Sequence, residues 1–305
     1  MSGILDAKAV VVTGAGRGIG RAVALLCAAE GAKVVVADLG VGMHGEEPSS
    51  EVADSVVAEI RDAGGIAVAS ADSVTDMAAG ERIVQSAIDN WGRIDGVVCG
   101  AGILRERMLF NMSEDDWDAV IATHLKGTFT LFRAAAGIMR SQQSGSLVGF
   151  TSASFQASVA QANYSAAKGG IVSLVRSAAA GLHRYGVTAN AVAPIARTRM
   201  MAQVPMDLPE TGEPEDVAPM VAFLLSDRAR HITGQIYTVV GGKIAVWNQP
   251  HEVRAMYKDS RWTPEEIAQR LDSSIGQEPM PILAQLERYR HAAAAAAETG
   301  TTPNA

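Results

Sequence analysis

The sequence predicts an α/β fold: one doubly wound parallel sheet of about seven strands, helices on both faces, and a helical extension at the C-terminus. Three observations carry this expectation. Short β-branched runs alternate with longer helical patterns, which implies parallel strands joined by crossovers. A glycine-rich turn separates the first of these runs from the first helix. The chain has 305 residues, 48% hydrophobic and 19% charged, enough for one large core and an appendage without a second full domain.

The elements follow in order. Strands are expected near 8–13, 33–37, 66–70, 95–99, 145–151, 187–193 and 235–240, where the apolar runs fall. Helices are expected near 18–30, 50–63, 75–91, 114–140, 162–184 and 215–226. Beyond the sheet, Trp262-Thr263-Pro264-Glu265-Glu266 reads as a helix start. Thr263 would be its cap, Pro264 its first position, and Glu266 the partner in a capping box. A further helix is expected from Pro281 to about His291, and frayed chain over 292–305, where an alanine run gives way to Thr, Gly, Pro and Asn. The organisation is therefore a sheet domain over 1–245, a helical extension over 246–291, and a tail.

The first turn carries chemistry. Thr13-Gly14-Ala15-Gly16-Arg17-Gly18-Ile19-Gly20 follows Ala9-Val10-Val11-Val12 and opens an alanine-rich helix. Glycines there permit a tight turn, admit a diphosphate against bare backbone, and let helix and strand pack closely. The helix N-terminus adds free N–H groups and partial positive charge. Asp38 ends the next apolar run, eighteen residues beyond Gly20. A carboxylate there can accept both hydroxyls of an adenosine ribose and repel a 2′-phosphate. Gly14, Gly16, Arg17, Gly18, Ile19, Gly20 and Asp38 therefore point to NAD rather than NADP.

A second signal lies at Tyr164 and Lys168. Four residues apart, they share one face of a helix. An ammonium beside a phenol lowers its pKa from about 10 towards the range where a base works at neutral pH. Ser152, twelve residues upstream, could hold the substrate oxygen on which that phenol acts.

Together these signals resemble the short-chain dehydrogenase/reductase family over about residues 5 to 245. The resemblance rests on the glycine loop, Asp72, Cys99-Gly100-Ala101-Gly102, Ser152, Tyr164 with Lys168, and Pro194 followed by Thr198. Longer stretches are similar to the (3R)-hydroxyacyl-CoA dehydrogenase domains of peroxisomal multifunctional enzymes. These are Gly100 to Arg105, Glu114 to Asp118, His124-Leu125-Lys126-Gly127, and Gln161 to Lys168.

The resemblance implies a Rossmann-type fold and metal-free hydride transfer between NAD and a secondary alcohol or ketone. It adds Asp72, Ser73, Gly100, Ala101, Gly102, Pro194 and Thr198 to the cofactor contacts. Tyr164 and Lys168 join them, since Lys168 would also bind the nicotinamide ribose. Ser152 would hydrogen-bond the reacting oxygen, with Gln161, Met200 and Met201 on the substrate side. Thr151 sits one residue nearer the usual spacing from the tyrosine, but counting forward from Gly145 favours Ser152. The implied substrate is a (3R)-hydroxyacyl-CoA thioester, with a bulky or steroid-derived acyl group among the candidates. Reduction of 3-oxoacyl thioesters, oxidation of a hydroxysteroid, and a non-catalytic NAD sensor or scaffold are the alternatives. A homodimer or homotetramer built on the helices near 114–140 and 162–184 is also implied.

Two positions depart from the family. Cys99-Gly100 stands where Asn-Asn is usual, removing a side chain that ties the central strands. His124 replaces an asparagine, and reads equally as a member of a proton relay or as a satisfied helix histidine.

Residues 195–213 are rich in Met and Pro and would form a lid over the substrate, where Arg197 and Arg199 could meet phosphates. The glycine-bearing loop at 39–50 would close over the adenosine or join a subunit contact. Trp247, Met256, Tyr257, Trp262, Leu271 and Leu283 make the extension too apolar to stay in solvent, so it would narrow the cleft or cap the core.

A net charge of −7 without a basic tract argues against nucleic acid. Cys27 and Cys99 lack ligand spacing, which fits a reducing compartment. No leader precedes the first strand and no stretch is long enough for a membrane span, so a cytoplasmic location without a membrane partner is expected.

Overall fold

The computed structural model describes residues 3–42, 48–198 and 211–299. By its internal contacts the chain divides into Met1–Trp247 and Asn248–Ala305. The first unit holds an eight-stranded sheet in the order β3-β2-β1-β4-β5-β6-β7-β8. The strands are β1 (Ala9–Thr13), β2 (Lys33–Ala37), β3 (Ile66–Ser70), β4 (Gly96–Cys99), β5 (Gly145–Phe150), β6 (Val187–Pro194), β7 (Ile236–Val240) and β8 (Lys243–Val246). All pairings are parallel except β7 with β8.

The sheet is buried on both faces, and its strands show how. Val10, Val12, Val34 and Val36 pack into one core with α1 (Gly18–Ala29), α2 (Glu51–Asp62) and α7 (Pro214–Leu225). Val11, Val35 and Val97 alternate to the other face and pack with α3 (Met77–Trp91), α5 (Gly127–Gln142) and α6 (Ala162–Leu182). Continuous valine runs therefore suit strands covered by helices above and below. Order reverses between β1 and β4, which opens a crevice beyond the carboxyl ends of these strands.

The fold is the doubly wound Rossmann-type sheet expected, with two differences in its elements. The strand β8 is additional. It is joined to β7 by Gly241 and Gly242, and Gly241 sits at φ +50°. A two-residue Gly-Gly link is a hairpin signal that the apolar-run reading passes over. The expected helix over 114–140 is also interrupted. α4 (Glu114–Ile121) and α5 are joined by a π turn at Ala122–Lys126. Thr128 donates its hydroxyl to the His124 carbonyl at 2.7 Å, giving the widened turn a partner for a displaced carbonyl.

In the second unit, α8 (Pro264–Ser274) starts as expected: Thr263 and Glu266 form a capping box, with Pro264 in the first turn. Trp262 lies within 5.8 Å of the Lys258 ammonium and 5.0 Å of the Arg270 guanidinium. Tyr257, Ile267, Met280, Leu283 and Leu286 are exposed, in contrast to the burial their apolar character leads one to expect. The last helix, α9 (Pro281–Thr299), continues through the alanine run where the sequence reads as frayed chain, in keeping with alanine's helix propensity. Trp247 belongs to the first unit. It packs on Phe155 with centroids 4.7 Å apart and donates to Thr238 at 2.8 Å.

Candidate active site

The glycine turn after β1 opens a cleft of about 700 Å³. Gly14 has φ +65°, and a Cβ on it would stand 2.6 Å from the backbone of Gly100 and Ala101. A Cβ on Gly20 would meet the Gly14 carbonyl at 2.0 Å, so only hydrogen fits as α1 turns away from β1. Arg17, the residue before α1, makes no side-chain cap, and no acid occupies the first turn. The N–H groups there remain available to an anion, and the helix dipole favours one. The turn therefore fits the diphosphate of a dinucleotide.

Asp38 extends this wall. Its carboxylate accepts from Gly16 N–H and Gly40 N–H, each at 2.7 Å, and it lines the cleft. Arg17 also lines it and donates to the Val41 carbonyl at 3.2 Å. Gly16 itself lies outside the lining, beneath Asp38 and Val52. Asp72 borders the cleft with its carboxylate paired to Arg82, Nε at 2.9 Å, and to the Ser70 hydroxyl at 3.2 Å. Ser73 joins it, with its hydroxyl 2.9 Å from that of Thr75. Gly100, Ala101, Gly102, Pro194 and Thr198 complete the expected cofactor contacts along the strand ends. With Cys99-Gly100 in place of two asparagines, Thr13 ties β1 to β4. Gly100 N–H donates to the Thr13 carbonyl at 3.1 Å and lies 3.2 Å from its hydroxyl.

The reacting groups come from β5, the π turn and α6. Tyr164, Lys168, Ser152 and His124 all line the same cleft. The Ser152 hydroxyl donates to that of Ser154 and accepts from the Ser154 N–H, each at 3.2 Å, and its influence on the Tyr164 phenol is to hold the pKa down. Thr151 is buried and donates its hydroxyl to the Lys168 carbonyl at 2.9 Å, which binds β5 to α6. The Thr151 hydroxyl is thus engaged within the fold, while Ser152, half-buried, lines the cleft.

Lys168 is buried, donates to the Phe150 carbonyl at 2.7 Å, and lies 5.3 Å from the centre of the tyrosine ring. The electrostatics differ from the expectation that the lysine lowers the phenol. Burial pushes Tyr164 up to about 12, opposed by the Ser152 hydrogen bond and reinforced by Glu106. Burial also pulls Lys168 down to about 7. Desolvation penalises both charged forms and is the largest cause of each shift.

His124 is buried at the centre of the π turn. Burial, with the nearby Lys168, lowers it to about 3, so its imidazole is neutral. Gln161 does not line the cleft. It precedes α6, accepts from the Ser158 hydroxyl at 2.9 Å, and donates its amide to Glu106. Met200, Met201 and Arg199 lie outside the described residues, as do most of the expected lid and part of the 39–50 loop. Residues that the motif reading missed include Ile103, Arg105, Ala119, Ala122 and Thr123, which reach the cleft from the β4–α4 connection and from α4 and its end. No spacing rule marks them, because their place depends on the π turn.

The family model described as Enoyl-(Acyl carrier protein) reductase matches residues 14–243. The chain is 41% identical to a hydroxyacyl-CoA dehydrogenase of Mycobacterium tuberculosis, over 90% of this chain and 91% of that protein. It is 42% identical to the mouse peroxisomal multifunctional enzyme type 2 over 86% of this chain, but spans only 36% of that longer protein. The crystal structure of a short chain dehydrogenase from Mycobacterium avium superposes with a TM-score of 0.83 at 44% identity, covering 92% of this chain and 99% of that one.

Proposed function

The chain belongs to the short-chain dehydrogenase/reductase family and is an oxidoreductase acting on CH–OH groups, and on that premise we propose that it uses NAD to interconvert a (3R)-hydroxyacyl-CoA thioester and its 3-oxo form. The observation that carries the reading is that Tyr164, Ser152 and Lys168, the ammonium 5.3 Å from the tyrosine ring centre, line the same cleft as the glycine turn. When bound, the nicotinamide supplies a ring carbon that accepts or returns hydride.

The chain's own residues position and move the proton. Ser152 holds the reacting oxygen, and Tyr164 takes the alcohol proton during oxidation or returns it during reduction. At about 12 the phenol keeps its proton near neutrality, so it is already poised as the acid for reduction. Oxidation needs that proton removed first, a demand that raising the pH eases. The carboxylate of Asp38 at the cleft wall supports NAD over NADP, since a 2′-phosphate would meet like charge. The thioester assignment draws on the hydroxyacyl-CoA dehydrogenase relative. Exposed Trp117 on α4 and Phe129 on α5 support a homo-oligomer formed on those helices.

A panel of secondary alcohols tests the reading: both enantiomers of 3-hydroxyacyl-CoAs, acyl-carrier thioesters and hydroxysteroids, each with NAD and NADP. We expect the highest kcat/KM with NAD and the 3R acyl-CoA. Turnover confined to NADP, or to steroids, would overturn it.

A further inference from the structure

We propose that His124 is a positioning residue for Tyr164, its imidazole seated against the bare α-carbon of Gly102 and meeting the phenol ring edge to face. The proposal rests on the reading of Tyr164 as the proton-handling group. Three observations carry it. The rings of His124 and Tyr164 lie 5.2 Å apart at 87°. A Cβ on Gly102 would stand 2.4 Å from His124 Cε1, so the ring occupies space that any other residue at 102 would fill. The third is how the ring is anchored. His124 Nε2 lies 2.8 Å from the Ile103 carbonyl and 3.3 Å from the Ile103 N–H, so the backbone of Ile103 holds this edge of the ring in either tautomer.

His124 Nδ1, at the other edge, is buried and without a partner among the described residues. The ring is thus fixed at one edge by the Ile103 carbonyl, held by the π turn, and backed by glycine. A buried group so confined transmits any displacement to what it touches, because packed interiors do not deform freely. Gly102 and His124 then form one device. The glycine makes room, the imidazole fills it, and the phenol is held where Ser152 can meet it.

The test uses the full chain with Gly102→Ala, His124→Ala, the double variant and His124→Phe. Unfolding gives a substrate-free double-mutant cycle. Gly102→Ala should lower stability in the native background and cost little once the imidazole is gone. Additive effects would overturn the proposal.

A second substrate-free reading is the ultraviolet titration of the phenol, assigned by its loss in Tyr164→Phe. In His124→Ala, water should enter beside the phenol and its midpoint should fall, while His124→Phe should leave it high. An unmoved midpoint in His124→Ala would overturn the positioning role. With an alcohol that the native enzyme oxidises, Gly102→Ala and His124→Ala should each lower kcat about tenfold or more with little change in KM. His124→Phe should recover most of kcat without moving the pH profile. A shifted pH profile in His124→Phe would instead make His124 a proton carrier. If the native chain turns over none of the alcohols, the proposed function fails, yet the unfolding cycle and the titration still decide this one.

Discussion

The glycine turn and the reacting cluster line one cleft, but they are built from different materials. At the turn, function rests on backbone: Gly14 and Gly20 keep side chains away, and the uncapped start of α1 leaves N–H groups available. At the cluster, function rests on side chains. Lys168 and His124 are buried and Tyr164 is half-buried, and for all three desolvation is the largest cause of the pKa shift. The lesson is that a backbone site is strong as soon as the chain folds, since peptide dipoles need no ionisation. A buried side-chain site is restrained until other charges arrive, because burial disfavours its charged forms.

The strongest way to test this contrast is to disable one region and leave the other intact. Tyr164→Phe should lower turnover by at least about a thousandfold, as expected for loss of the group that transfers the proton. NAD binding, followed by fluorescence or calorimetry, should be almost unchanged. A variant that lost NAD affinity in parallel would show that the two regions are not separable. In the native enzyme, oxidation should speed up as pH rises, because the phenol pushed up to about 12 must lose its proton. Reduction should not share that gain.

Within the side-chain region, adjacent positions should behave unequally. Ser152→Ala should cost about a hundredfold in kcat, the scale for losing one aligned hydrogen bond to a developing charge. Thr151→Ala removes a hydroxyl that binds Lys168 O at 2.9 Å, and should cost about 1 kcal/mol in unfolding stability with a smaller change in kcat. The reverse ranking would mean that β5 presents Thr151 to the substrate.

The same contrast governs what the sequence could reveal. Glycines that must be glycine leave a spacing, so the turn at 13–20 and Asp38 are legible in one dimension. Tyr164 and Lys168 are legible as a helical pair for the same reason. Their pKa values are not, because burial comes from residues distant in sequence, such as the β5 end and the 100–103 segment. The strands β1, β2 and β4 are legible as valine-rich runs, since their residues are almost all buried between helices, whereas the edge strand β3 is partly exposed and shows as a shorter apolar run. The strand β8 is not legible, because its four residues are all exposed and form the antiparallel edge of the sheet. The π turn left no pattern either. The residues 114–140 read as one helix, and the π turn at Ala122–Lys126 that carries His124 leaves the apolar periodicity without a visible break.

Asp38 is the one charged side chain on which the backbone region depends, which makes it the finest probe of the contrast. Its two oxygens hold Gly16 N–H and Gly40 N–H at 2.7 Å each. In Asp38→Asn the amide offers a single oxygen, so one of these donors loses its acceptor, and the negative charge is lost with it. The first change loosens the turn for either cofactor. The second removes repulsion that only a 2′-phosphate would feel. Together they should weaken NAD by about tenfold, the size of one lost charge-assisted bond, while NADP changes little. The ratio of kcat/KM values for NAD and NADP should therefore fall about tenfold. Equal losses with both cofactors would leave that ratio fixed and show that Asp38 only ties the loop, with no part in choosing the cofactor.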